Sequence, residues 1–340
     1  MMKRFLAFLL ALLFAFPAFA EEAPLLGEIT EADKHGNVAT SLPASELLAR
    51  CALGDLLTIT LGEQRITAPL VGRYSDVNVG EPLVFQNSEG QVAFAINHQS
   101  FQEVYGAQPG TSFELALLQA GGYLEQYEIR NLVKSESRED YATDEVFANF
   151  RPVIDGVLYR GASPVLQDDA RAPYAMTLVK AAGIKTVVNL AQTGDELPTS
   201  PDPYDGMAYI AVGMSADVQS ADFAPALAAA MGFMLEREAP YYIHCNEGKD
   251  RAGIVCALLE ALLGFTPEQI VEDYMLSYQN YYGVEAGTEK YALLAQQIET
   301  IMETLLGAPM DANTLQARAE AYFAEALDVS PDDMRAALSR

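Results

Sequence analysis

Hydrophobic and polar positions follow two different rhythms along this chain. From Glu21 to about Arg130, short apolar runs alternate with polar residues at the two-residue period of strands. Leu56-Leu57-Thr58-Ile59-Thr60-Leu61 and Arg65-Ile66-Thr67-Ala68 flank a Gly62-Glu63 turn, and Leu83-Val84-Phe85-Gln86 leads through Asn87-Ser88-Glu89-Gly90 into Val92–Ile96. These are hairpin signals. Many short strands in this space predict a small all-β barrel-like or sandwich domain over residues 21–133. Lys134 to Glu145 is polar and charged, so residues 134–146 read as a linker or a solvated helix.

Beyond it, strand-like and helix-like runs alternate. Gly156–Gly161 reads as an edge strand, Asp168–Ala182 as a helix stopped by Gly183, and Lys185–Leu190 and Ala208–Val212 as strands. Phe223–Glu236 is helical, Tyr241-Tyr242-Ile243 is β-prone, and Gly253–Leu263 is an apolar helix stopped by Gly264. This order predicts an α/β domain over residues 147–310, with a mainly parallel sheet flanked by helices and the working loop at a strand's C-terminal end. Thr266-Pro267-Glu268-Gln269 is a capping box with proline at the first helical position, and it opens a helix through about Tyr282. Within that helix, packing on the sheet is the expected role of each aromatic residue taken singly, with Tyr278, Tyr281 and Tyr282 the alternatives for walling the pocket. Residues 311–340 read as an Ala- and Glu-rich helical tail.

Composition adds compartment and partners. Lys3-Arg4, the apolar run Phe5–Phe16 and Ala18-Phe19-Ala20 have the order of a cleaved signal peptide over residues 1–20, so the mature chain is expected to start at Glu21 and to be exported and soluble. The run is short for a bilayer and ends in Pro17, so no stable membrane insertion is expected. Asp and Glu number 47 against 21 Lys and Arg, a formal charge of −26 that disfavours nucleic acid and anionic membranes as partners. Three cysteines do not make a disulfide framework. His35 and His98 have no close-spaced partner ligand, so no metal or cofactor is expected.

The chemistry concentrates in His244-Cys245-Asn246-Glu247-Gly248-Lys249-Asp250-Arg251. A lone cysteine and an arginine stand at the two ends of one short loop between a buried strand and the N-terminus of a buried helix. Backbone N–H groups there are unsatisfied and the helix dipole is positive, which favours both a phosphoryl group and a thiolate. Cys245 is then the nucleophile. Arg251 supplies a planar fork for phosphoryl oxygens, and Gly248 allows the tight backbone path. Asn246, Glu247, Gly248, Lys249, Asp250, Ala252 and Gly253 are the expected phosphate-binding residues. Lys249 is the only lysine near the loop in sequence.

These residues resemble the His-Cys-x-x-Gly-x-x-Arg signature of the cysteine-dependent protein tyrosine phosphatase superfamily, with Gly-Lys-Asp-Arg closest to its bacterial branch. The resemblance implies a phosphomonoesterase acting through a phosphocysteine intermediate, most simply on phosphotyrosine. Some similar enzymes act on inositol phosphates or phosphoinositides, but the scarcity of Lys and Arg argues against a highly phosphorylated inositol. A phospho-ligand binding module with a retired active site is the alternative of a different class, disfavoured because Cys245 and Arg251 are both present. Two positions compete as general acid. An upstream loop aspartate is usual in the superfamily, which points to Asp217 and then to Asp222, although Asp222 is also placed to cap the helix from Phe223. Branches with Gly-x-Asp-Arg are thought to use the loop's own aspartate, here Asp250. Ala252 stands where relatives carry Ser or Thr, which implies slow breakdown of the intermediate. Arg160 sits in a Tyr-Arg-Gly context shared with relatives and reads as structural. In the N-terminal region, Asp33–Asn37, Arg73–Val77 with Gly80-Glu81, and Asn87-Ser88 with Gly90 and Asn97 resemble the C-terminal β-barrel of the S-adenosylmethionine hydrolase and halogenase family. That family's catalytic domain has no counterpart here, so the resemblance implies a fold and not that reaction.

Overall fold

The computed structural model describes residues 23–198 and 200–339, so the expected signal peptide and cleavage site lie outside the described residues. The chain divides into two compact units, at Arg130/Asn131.

The first unit is an antiparallel sheet of seven strands: β1 (Leu25–Ala32), β2 (Val38–Pro43), β3 (Leu56–Leu61), β4 (Gln64–Pro69), β5 (Pro82–Gln86), β6 (Gln91–Ile96) and β7 (Ser112–Gln119), in the order β4-β3-β7-β1-β2-β6-β5. An isolated bridge between Leu70 and Val84 brings the two sheet edges together, leaving a nearly closed barrel. Closure removes the unpaired edges that an open sheet would present. Inside lie Ile29, Val38, Ile59 and Phe94, with Phe94 edge-on to Phe113 at 5.0 Å. Both expected hairpins form. In the second, the Asn87 side chain accepts from Gln91 N at 2.8 Å and Gly90 takes φ +78. Three short helices complete the unit: α1 (Ala44–Leu48), α2 (Phe101–Tyr105) and α3 (Leu124–Arg130). His35 and His98 are exposed.

The second unit is built on a five-stranded sheet of β8 (Arg151–Ile154), β9 (Leu158–Gly161), β10 (Thr186–Asn189), β11 (Ala208–Ala211) and β12 (Tyr241–His244), in the order β11-β10-β12-β9-β8. Three pairings are parallel and β8–β9 is antiparallel, so the sheet is mixed where a mainly parallel one was expected. The expected edge strand, β9, is interior. The true edge is β8, and its Pro152, which donates no hydrogen bond, suits that position. Among the described residues eight α-helices precede, alternate with and follow these strands: α4 (Asp144–Phe147), α5 (Ala172–Ala181), α6 (Phe223–Leu235), α7 (Asp250–Leu262), α8 (Pro267–Tyr282), α9 (Glu289–Leu306), α10 (Leu315–Glu325) and α11 (Pro331–Ala337). Helix α5 starts later than its pattern suggests because Asp168 is left-handed, at φ +65.

Central β12 is wholly buried, and in α7 every residue from Ala252 to Leu262 is buried, walled by β9, β12, α8, α9 and α10. A helix apolar on all faces requires such surroundings. The capping box of α8 forms, Thr266 Oγ1 accepting from Gln269 N at 3.3 Å and Gln269 Oε1 from Thr266 N at 2.9 Å. The C-terminal helices belong to this unit's core: α10 packs on α7 with Leu315, Ala319 and Phe323 buried. The stretch from 134 to 146 holds only a short 3-10 turn at Arg138–Asp140 and the start of α4.

Candidate active site

Strand β12 ends at His244, and helix α7 begins at Asp250, so the Cys245–Lys249 loop lies at the C-terminal edge of the sheet. The carbonyls of this loop all point outward and are tied down. Cys245 O accepts from His244 Nδ1 (3.1 Å), Asn246 O from Ser163 N (2.9 Å), and Glu247 O from Tyr281 Oη (2.8 Å) and Asn149 Nδ2 (3.1 Å). The Arg160 guanidinium donates to Gly248 O (2.9 Å) and Lys249 O (3.0 Å). With every carbonyl turned out, the N–H groups turn in. Among the described residues, none of those from Asn246 to Arg251 has a protein acceptor. The result is a ring of donors at a helix N-terminus, closed by the guanidinium of Arg251, with buried Cys245 at its start. Arg251 is steadied by the carbonyls of Leu190, Ala191 and Met214 at 3.3–3.4 Å.

Two buried networks fix the ring. His244 has burial pushing its pKa down to about 4, against the opposing hydrogen bond to Cys245 O, so it is neutral near pH 7. A carbonyl at Nδ1 requires the proton there, which leaves Nε2 to accept from Tyr204 Oη at 2.9 Å, with Asn189 Nδ2 donating to Tyr204 in turn. Beneath the loop, fully buried Arg160 and largely buried Arg151 share Asp273: Arg160 pairs with Asp273 Oδ2, and Arg151 Nε reaches Oδ1 at 2.7 Å. Burial opposes the Asp273 charge, but the two guanidiniums outweigh it and hold the carboxyl below its usual range. Asn149, left-handed at φ +50, links Glu247 O to Ser277 and Arg151. Gly248 is at φ +68, and a Cβ there would lie 2.2 Å from the Gly161 carbonyl at the end of β9.

The expected site residues are not all alike in place. Cys245 through Arg251 form one cradle. Gly253, expected to bind phosphate, donates its N–H to Lys249 O, the N-cap of α7, at 3.0 Å; its missing side chain makes room for Arg160 and Tyr274. Ala252 is fully buried. Asp250 opens α7, and although half of its side-chain surface is exposed, partial desolvation raises its pKa, against Lys249 and with help from Glu247. Asp217 is exposed, and its carboxylate closes a local turn by accepting from Gln219 N at 2.9 Å; from the same segment the Met214 carbonyl accepts from Arg251. Asp222 occupies the N-cap position of α6 but its side chain makes no cap bond; it accepts from Ser215 N, and the Ser220 hydroxyl holds it below its usual range. Cys256 is inert, its thiol pushed up to about 12 by burial despite Arg160.

Residues to which the sequence assigned no role at the site also support the loop: Asn149, Arg151, Ser163, Tyr204 and Asp273, while Tyr281, one of the three tyrosines weighed as a pocket wall, donates to Glu247 O. A second lysine reaches it as well. Lys134, 17% exposed, lies 3.3 Å from Glu247 Oε1, and Lys249 lies 3.7 Å from Oε2. The only signal available in sequence was that Lys134 opens an unusually charged stretch.

Residues 146–340 match the family model described as the tyrosine phosphatase family, and residues 27–114 match that of the SAM hydroxide adenosyltransferase C-terminal domain. Among solved structures, an uncharacterized conserved protein from Thermotoga maritima is similar at 26% identity over 28% of this chain (TM-score 0.28), and the chain spans only 37% of that protein. The core catalytic domain of the PP-IP phosphatase SIW14 from S. cerevisiae is similar at 20% identity over 46% of this chain and 91% of its own (TM-score 0.31). TpbA from P. aeruginosa in complex with pTyr is similar at 18% identity over 51% of this chain and 91% of its own (TM-score 0.33).

Proposed function

The chain belongs to the tyrosine phosphatase family, and on that premise we propose that it is an exported phosphomonoesterase acting on phosphotyrosine through a phosphocysteine intermediate. The observation that carries this reading is the ring of inward N–H groups around Cys245 and Arg251, created by anchoring every loop carbonyl outward. Such a ring is preorganised for the three equatorial oxygens of a phosphoryl group. The Cys245 thiolate attacks phosphorus, and the sulfur–phosphorus bond forms as the bond to the phenolic oxygen breaks. Asp250 gives that oxygen its proton, and then takes one from the water that cleaves phosphocysteine to orthophosphate. Asp250 is favoured over Asp217 by its seat at the loop's end and by the desolvation there, which raises its pKa above that of an ordinary carboxyl. Export rests on the charged, apolar and small-residue order of residues 1–20.

A second reading, an inositol phosphate or phosphoinositide phosphatase, is favoured by one observation: Lys134 adds a cation beside Lys249. The primary test is Cys245→Ser. It should abolish hydrolysis of a phosphotyrosine peptide while vanadate binding, measured by calorimetry, persists. Activity of the variant within about tenfold of wild type would sink the covalent route, since losing the nucleophile costs several orders of magnitude.

A further inference from the structure

Glu247 stands in an unusual position for a phosphate site. It is an acidic side chain on the loop itself, 30% exposed, flanked on its two oxygens by Lys134 (3.3 Å) and Lys249 (3.7 Å). Both lysines are less than a fifth exposed. Lys249 also lies over the rings of Tyr278 and Tyr282, at 5.1 and 5.2 Å, and donates to Tyr282 Oη. Lys134 is further engaged by Glu136, which also pairs with buried Arg171. Both ammonium groups are fully charged near neutrality: burial lowers their pKa values, but the neighbouring carboxylates more than reverse it.

We propose that Glu247 is a specificity-determining residue that selects against substrates carrying a second phosphoryl group beside the one being cleaved. The carboxylate occupies the two cations that would otherwise receive that group, and adds a negative charge where it would sit. A singly phosphorylated tyrosine needs only the loop N–H groups and Arg251, so it is not penalised in the same way. Charges a few ångströms apart, both partly withdrawn from water, interact strongly enough to set such a preference. The inference rests on the phosphate-binding reading of the loop but not on turnover.

The test therefore uses binding in the full chain with Cys245→Ser, comparing myo-inositol hexakisphosphate with orthophosphate by calorimetry. Glu247→Gln keeps the shape and the backbone anchors while removing the charge. It should lower the ratio of the hexakisphosphate Kd to the orthophosphate Kd by about tenfold, the order expected for removing one close like charge. Lys134→Met should cancel most of that gain in the Glu247→Gln background and change the ratio much less when Glu247 is present. An unchanged ratio overturns the proposal. So do strictly additive effects, which would show that Glu247 acts through net charge and not by holding Lys134. Glu247→Ala provides a second variant in which the ratio must move the same way. Failure of the phosphatase reading shows separately, as absent turnover of every phosphomonoester by protein with Cys245 intact.

Discussion

Asp250 and Asp217 compete for one proton transfer, and their surroundings differ enough to predict the outcome. Asp250→Asn should lose two to four orders of magnitude on a phosphotyrosine peptide, roughly the range of general acid catalysis, and much less on an aryl phosphate whose phenol leaves unaided. Asp217→Asn should stay close to wild type on both. Steady-state kinetics on the two substrates decide it, and the reverse pattern would move the acid to the upstream segment. Because the Asp250 pKa is raised, its protonated form survives to higher pH than an ordinary carboxyl, and activity should fall as pH rises through that value. His244 makes a prediction about stability. Its folded pKa, about 4, lies below the unfolded value of 6.5, so the folded state binds fewer protons, and its contribution is fully present above pH 6.5 and lost as pH falls toward 4. The full loss is about 3 kcal/mol. Urea unfolding at a series of pH values should show this component in wild type and not in His244→Asn; parallel profiles would rule it out.

At the scale of elements, the decisive contact is between the signature loop and the end of β9. Gly248 answers two demands at once, a left-handed backbone and a 2.2 Å approach to the Gly161 carbonyl. Gly248→Ala should therefore cost more than the roughly 1–2 kcal/mol of a left-handed non-glycine residue, because the neighbour is backbone and cannot rotate away. The expected outcome is a lower melting temperature together with loss of vanadate binding; a variant that binds vanadate normally would show that β9 and the loop can separate. Glycine within a Cys-to-Arg loop is visible in sequence as a turn residue. That its carbonyl rests on Arg160, itself paired with Asp273 of α8, is not, because those residues are far apart in the chain.

For the whole molecule, the field is acidic, while the cradle offers inward N–H groups and the Arg251 guanidinium to a phosphoryl group. A formal charge of −26 should slow the approach of acidic substrates and favour basic ones, an effect screened over about 8 Å at physiological salt. kcat/KM should then rise severalfold with added NaCl for a phosphotyrosine peptide flanked by Glu, and fall for one flanked by Lys, by the usual size of such steering. Slopes of the same sign would mean that Lys134, Lys249 and Arg251 dominate the approach. The sequence alone determined whatever is carried by neighbours along the chain: the strand, loop and helix around Cys245, the hairpins at Gly62 and Gly90, the capping box at Thr266, the change from a β unit to an α/β unit. Local period, turn chemistry and a contiguous signature suffice for these. Tertiary structure decided that β9 is interior and β8 the edge, that Gly253 packs against Arg160, and that Lys134 and Asn149 converge on a loop about a hundred residues away. Those outcomes depend on which buried polar groups find partners across the fold, and a buried carbonyl or guanidinium is satisfied by whatever the packing brings near it, not by its neighbours in sequence.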